Sequence, residues 1–131
     1  MAVVVDAGAL IGIDRADRAV GAVLRVAHEA RLPVRTSAAV VAQVWRNGSR
    51  QASLARVLAG VDVVPMDGGD ARAVGELLGL VGTADVVDGH LALIVRGGDT
   101  VLTGDPEDLL ELVDARGVEA VVRPVGGSAQ R

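Results

Sequence analysis

The chain has no cysteine, no phenylalanine, no tyrosine and a single tryptophan, Trp45. It also lacks lysine, since all 13 basic residues are arginine. Without cysteine there is no disulfide, no thiol nucleophile and no zinc–thiolate site, which fits a reducing cytoplasm. Without lysine there is no Schiff base and no P-loop. The same absence weighs against a receiver-like or flavodoxin-like signalling domain, which fold analogy alone would propose. The scarcity of aromatics removes base-stacking platforms of the RRM or OB kind. Apolar runs are broken by Asp, Arg or Gly before ~18 residues, so no transmembrane helix is expected. Met1 to Leu10 has no basic segment, and Asp6 interrupts its apolar run, unlike a secretory signal. The expectation is a cytoplasmic protein without membrane association. The chemistry that remains belongs to carboxylates, arginines, two histidines and hydroxyls.

What is present is a chain of 131 residues, 50% hydrophobic, with net charge -4. That length suits one domain, read here as residues 1–125, with 126–131 as a loose tail. Charge is unevenly placed. Residues 1–60 carry eight Arg against four acids, and residues 61–131 carry five Arg against 13 acids. Between Ala30 and Val61 there are five Arg and no acid, a basic segment within an acidic protein.

Short β-branched runs read as strands buried on both faces: Val3 to Val5, Val61 to Val64, Thr100 to Leu102 and Ala120 to Val122, with a further short strand at Val34-Arg35. Helical stripes lie between them. Val20, Val23, Leu24 and Ala27 share a face, as do Val40, Val41, Val44 and Trp45. Ala71, Val74, Leu77, Leu78 and Val81 form a third stripe, stopped by Gly82. Val86, Val87, Leu91 and Ile94 form a fourth; Leu109, Leu110, Leu112 and Val113 form a fifth, ended by Gly117. The alternation predicts a three-layer α/β/α domain with a mainly parallel sheet of four or five strands.

In such a sheet, sites form beyond the carboxyl ends of the strands. Asp6 follows the first strand, Asp105 follows the fourth after Thr103-Gly104, and Asp85 and Asp88 share one face of a helix start. Gathered together, these carboxylates repel one another unless a cation lies among them. Hard oxygen ligands suit Mg²⁺ or Mn²⁺, and such ions serve phosphodiester hydrolysis. Each acid also has an ordinary structural explanation. Asp6 and Asp105 stand where helix caps stand, Asp105 with Pro106 behind it and Asp108 three further on in the helix start. Asp85 complements a helix dipole, and Asp88 fits a solvated face.

Four segments together resemble a PIN domain of the VapC toxin type. They are Val3 to Ile11, Thr36 to Arg46, Gly82 to Ala92 and Val101 to Leu109, and in order they span nearly the whole chain. The resemblance implies an α/β/α nuclease fold whose acids bind Mg²⁺ or Mn²⁺ and direct water onto an RNA phosphodiester. It also implies neutralisation by a small antitoxin and homodimer formation. Carried over by position, Asp6, Asp85 and Asp105 match the catalytic, metal-binding acids. Asp88 would replace or assist Asp85, and Thr103 matches a supporting hydroxyl. The departure is Gln43, where the family has Glu: a neutral carbonyl oxygen replaces a charge and a potential base. Gln43 therefore either coordinates weakly while Asp88 restores the charge, or leaves a site that takes metal only when phosphate arrives, or marks a weakened module that binds RNA or protein without cutting. A fourth explanation is a polar residue bonded to nearby backbone.

Arg46, Arg50 and Arg56 surround Gly48 and Ser49, where two helices are expected to turn. Their forked cations suit RNA phosphate or an acidic antitoxin tail, and a solvated helix face is the plainer explanation. Trp45, on its apolar stripe, is expected in the core or a dimer contact. His28 and His90 have no partner at metal spacing and are expected to be structural or exposed, His90 with a chance of lining the acid site.

Overall fold

A computed structural model describes residues 1–125; the expected tail, 126–131, lies outside the described residues. Five strands alternate with seven helices: β1 (Val3–Val5), α1 (Ala7–Asp14), α2 (Arg18–Glu29), β2 (Val34–Ser37), α3 (Ala38–Val44), α4 (Ala52–Leu58), β3 (Asp62–Val64), α5 (Gly68–Val81), α6 (Val86–Ile94), β4 (Thr100–Thr103), α7 (Pro106–Ala115) and β5 (Val121–Pro124). All strand pairings are parallel, in the order β3-β2-β1-β4-β5. Val3 to Val5 pair with Thr100 to Leu102, so the central strands end side by side.

This order creates a reversal. From β1 the chain moves outward through β2 to β3, then returns past both to β4 and continues to β5. With right-handed crossovers, the helices before β3 and those after it cover opposite faces. The packing agrees for most of them: α1 rests on α2 and α4, and α5, α6 and α7 pack on one another, while α3 lies between the two groups and touches both α1 and α6. β1 and β4 therefore flank the point where the chain diverges in both directions, and their carboxyl ends open into a crevice.

Burial separates the central strands from the edges. Val4, Val5 and Val101 are fully buried, as two helix layers require. The edge strands depart from the expected two-sided burial: in β3 Asp62 and Val63 are exposed, and in β5 Val121 is 58% exposed. An edge strand has one neighbour and a helix layer that curves away, so a β-branched run alone does not report burial there. Trp45 is not in the core, one of the two places expected for it. It lies past the end of α3, 37% exposed, with its ring against Gly48. Val86 and Leu110, expected on buried stripes, are exposed as well.

Two local features set the helix positions. Gln51 clips the α3–α4 turn: its Oε1 accepts from the Arg46 and Asn47 amides, and its Nε2 donates to the Val44 carbonyl. Gly89 lets α6 approach α5, since a Cβ there would lie 2.9 Å from side-chain carbons of Val74 and Leu78. No single helix among the described residues is long and apolar enough to cross a membrane.

Candidate active site

Asp6 ends β1 and caps α1. Its Oδ1 accepts from the Ala9 amide at 3.0 Å, and its carboxylate accepts from the Gly104 amide at 3.1 Å. The Thr103 hydroxyl donates to Asp6 Oδ2 and accepts from the Asp105 amide at 2.8 Å. One hydroxyl thus joins the acid of β1 to the turn after β4. The turn comes this close because Gly8 faces Gly104, where a Cβ on Gly8 would lie 2.9 Å from the Gly104 backbone. Asp6 is 5% exposed. Burial raises its pKa above the usual carboxylate range, against the opposing pull of Thr103 and the neighbouring amides.

Asp85 caps α6, its Oδ1 accepting from the Asp88 amide at 3.0 Å. That places Asp88 in the first turn, half-buried and facing the turn after β4. Asp105 occupies the cap position of α7, yet its side chain makes no cap hydrogen bond. The capping explanation therefore holds for Asp6 but not for Asp105, whose carboxylate is left to face other acids; Asp85, expected only to complement the helix dipole, is itself the cap. Oxygen atoms of Asp88, Asp105 and Asp108 all lie within 4.8 Å of one another. Sequence reading placed Asp108 only as a helix-start residue. Its signal was the spacing already noted for Asp85 and Asp88, two acids three apart in a first turn after a strand.

The electrostatic result is five carboxylates without a counter-cation among the described residues. Burial, followed by the charges of Asp85, Asp105, Asp6 and Asp108, pushes the Asp88 pKa up to about 7. Partial burial, the adjacent Asp108 carboxyl, and the charges of Asp6 and Asp85 raise that of Asp105. Among the described residues the one salt bridge in the protein, Arg35 to Asp99, lies elsewhere. Such a donor set fits a hard divalent cation: oxygen-only, anionic, partly open to water, and costly to leave uncompensated.

The remaining candidates fall outside this cluster. Gln43 is exposed in another hollow of about 240 Å³, beside Asp14, Arg15 and Arg46. Arg46 spends its Nη1 on the Ala42 and Trp45 carbonyls, closing the end of α3, so part of its role is structural. Arg50 and Arg56 are exposed around the same turn. His28 is exposed. His90 is fully buried and lines a different cavity, with Arg35 and Arg116, instead of the acid cluster.

Topology and site together define an all-parallel α/β domain of the PIN-like fold. The structure is similar, with a TM-score of 0.64, to a chain in the crystal structure of VapBC2 from Rickettsia felis bound to a DNA fragment from their promoter. The likeness covers 95% of this chain and 98% of that one at 12% sequence identity, so what it establishes is the fold. No family model matches the sequence, and no curated protein matches it.

Proposed function

We propose that the protein is a metal-dependent endoribonuclease of the VapC toxin type. The observation that carries this reading is the set of five carboxylates, with no cation partner among the described residues, near the carboxyl ends of β1 and β4. Asp6, Asp85, Asp88 and Asp105 would hold Mg²⁺ or Mn²⁺, with Asp108 completing the ring. A bound divalent ion would neutralise the phosphate and favour attack by water. In the hydrolysis, water adds to phosphorus, the P–O ester bond breaks, and the departing oxygen takes up a proton. The chain's own residues hold the geometry. Thr103 and the Gly104 amide fix the Asp6 carboxylate, and the Asp85 cap fixes the start of α6. Arg50 and Arg56, with Arg46, supply cationic surface for the RNA backbone or for an acidic antitoxin segment. An antitoxin partner, motivated by the neighbour's own VapBC2 complex, and a homodimer, implied by the family resemblance alone, belong to this proposal.

The test is cleavage of RNA by purified protein with Mg²⁺ or Mn²⁺, and its loss with EDTA. Asp105→Asn is the cleanest variant, because that side chain caps nothing. It should lower cleavage at least about 100-fold, roughly 2.7 kcal/mol in barrier. Asp6→Ala should abolish cleavage too, but it also removes four hydrogen-bond contacts from the fold. Absence of any metal-dependent cleavage, with Asp105→Asn indistinguishable from the parent, sinks the proposal.

A second reading, a weakened module that binds RNA or protein without cutting, is favoured by one observation. Gln43 supplies no charge and lies in a hollow apart from the cluster. A Gln43→Glu variant that gains cleavage over an inactive parent would support it.

A further inference from the structure

Gln43 takes no part in the acid cluster and has surroundings of its own. It lines a hollow of about 240 Å³ bounded by the end of α1, the end of α3 and the start of α4. Both α1 and α3 begin at the carboxyl ends of neighbouring strands, capped by Asp6 and Ser37. Ile11 and Asp14 of the hollow stand five and eight residues after Asp6, so its α1 wall begins ~8 Å and extends to ~12 Å from that acid along the helix. At ~3.4 Å per nucleotide of a stacked strand, the separation is about two to four nucleotides. The hollow is smaller than the ~300–1,000 Å³ of sites that enclose whole small ligands, and its size suits one flat ring system.

We infer that this hollow is a subsite for an adenine base of the RNA strand, read by the Gln43 side-chain amide and stacked on the Arg46 guanidinium. Three observations carry the assignment. First, the two glutamines of the hollow are differently employed. Gln51 spends Oε1 on the Arg46 and Asn47 amides and Nε2 on the Val44 carbonyl. Gln43 is exposed, and no hydrogen bond within the described residues claims its amide. A glutamine amide presents an acceptor and a donor side by side, which match the amino group and ring nitrogen of adenine. Second, the Arg46 guanidinium is held in place, its Nη1 donating to the Ala42 and Trp45 carbonyls at 3.2 and 2.7 Å. A fixed guanidinium plane stacks on a base without help from an aromatic side chain. Third, the hollow carries the opposite charge balance to the acid cluster. Arg15 and Arg46 stand against one acid, Asp14, and neither is salt-bridged among the described residues. Ile11, 39% exposed, adds apolar contact for a ring face. The inference rests on reading the protein as an RNA-cutting enzyme, and names the base it prefers near the cleavage point.

The experiment uses the whole protein carrying Asp105→Asn, in Mg²⁺, so that cleavage does not intrude on binding. It is titrated with labelled hexauridylate and with the same hexamer bearing a single adenine, cytosine or guanine in place of one uracil, read by fluorescence anisotropy. The Gln43 side-chain NH₂ signal, identified as the one missing from Gln43→Glu, is followed by NMR. The adenine hexamer should bind about tenfold tighter than hexauridylate, a difference of about 1.4 kcal/mol, and tighter than the cytosine and guanine hexamers. The Gln43 signal should move with the adenine hexamer. Gln43→Glu, of similar shape at an exposed position, should erase the preference by removing the donor. Arg15→Ala should weaken all the hexamers alike, since its charge meets phosphate. Equal binding of all the hexamers, preference for another base, or an adenine preference that survives Gln43→Glu overturns the inference. The two readings fail separately. A parent protein that never cleaves RNA with metal sinks the nuclease reading and leaves the base preference to be measured, whereas one that cleaves with no preference for nearby adenine sinks the subsite alone.

Discussion

Asp6 and Asp99 stand at opposite ends of the same pair of central strands, and both are buried. Asp99 precedes β4. Its Oδ1 accepts from the Ala2 amide and its Oδ2 from the Arg96 amide, both at 2.8 Å, while Arg35 supplies a cation. Asp6 follows β1 and is equally well hydrogen-bonded, yet no cation faces it and four further carboxylates surround its end of the crevice. The amino edge uses its acid to lock three segments together. The carboxyl edge uses its acids to hold a charge the fold does not neutralise. Satisfying an acid's hydrogen bonds and neutralising its charge are separate problems, and this protein solves both only at one edge.

The largest effect should come from the satisfied edge. Asp99→Ala leaves two buried amides and the Arg35 guanidinium without their acceptor, which should cost about 3–5 kcal/mol. Urea unfolding measures it, and a loss below about 1 kcal/mol would erase the contrast between the edges. Next in size is Gly8→Ala. The new Cβ would press on the Gly104 backbone, which has no flexible side chain to move aside. Destabilisation of about 1–3 kcal/mol is expected, together with weaker Mn²⁺ binding as the Asp6 cradle opens. The sign reverses for Asp88→Asn. Removing a charge that the cluster resists should stabilise the metal-free protein at pH 8, by of order 1 kcal/mol once solvent screening of this half-buried group is allowed for. The same variant should weaken Mn²⁺ binding, and a variant that loses both stability and metal affinity would make Asp88 a structural acid like Asp99.

Much of this contrast could be read in the sequence, for identifiable reasons. The valine run of β1 and the Val101-Leu102 pair of β4 are buried on both faces, so composition reported them directly, and the acids that follow them marked the crevice. Gly82 does end α5 in a left-handed conformation, φ 88°. Asp99 left no signal, because its role depends on Ala2, Arg35 and Arg96 meeting across three strands and a loop. Asp108 looked like a helix-start acid, which it also is. Val86 and Leu110 were placed inside by periodicity, and Trp45 there or in a dimer contact, but periodicity gives the direction of a side chain and says nothing of whether another element covers it. His90 was unreadable for the same reason: one histidine on an apolar helix face reveals no cavity until α5, α7 and the sheet are in place.

The smallest and most discriminating prediction is the pH dependence of the metal-free protein. The folded-state pKa of Asp88, about 7, lies above the ordinary value of 3.8. Below pH ~4 the acid is protonated in both states and contributes nothing. Between these values the folded chain holds a proton the unfolded chain has released, so stability must fall as pH rises, and it levels off above about 7. Asp6 and Asp105, whose pKa values are also raised, act in the same direction. The slope should be shallower than the ~1.4 kcal/mol per pH unit of a single fully buried proton, because Asp88 is half in solvent. Urea midpoints in EDTA from pH 5 to 8 measure it, and Asp88→Asn should flatten it. Mn²⁺ has to displace that proton, so its apparent affinity should climb by up to about tenfold per unit across the same range. A metal-free stability that rises through this window would mean the carboxyl edge is paired as the amino edge is, and the case for a cation there would fail.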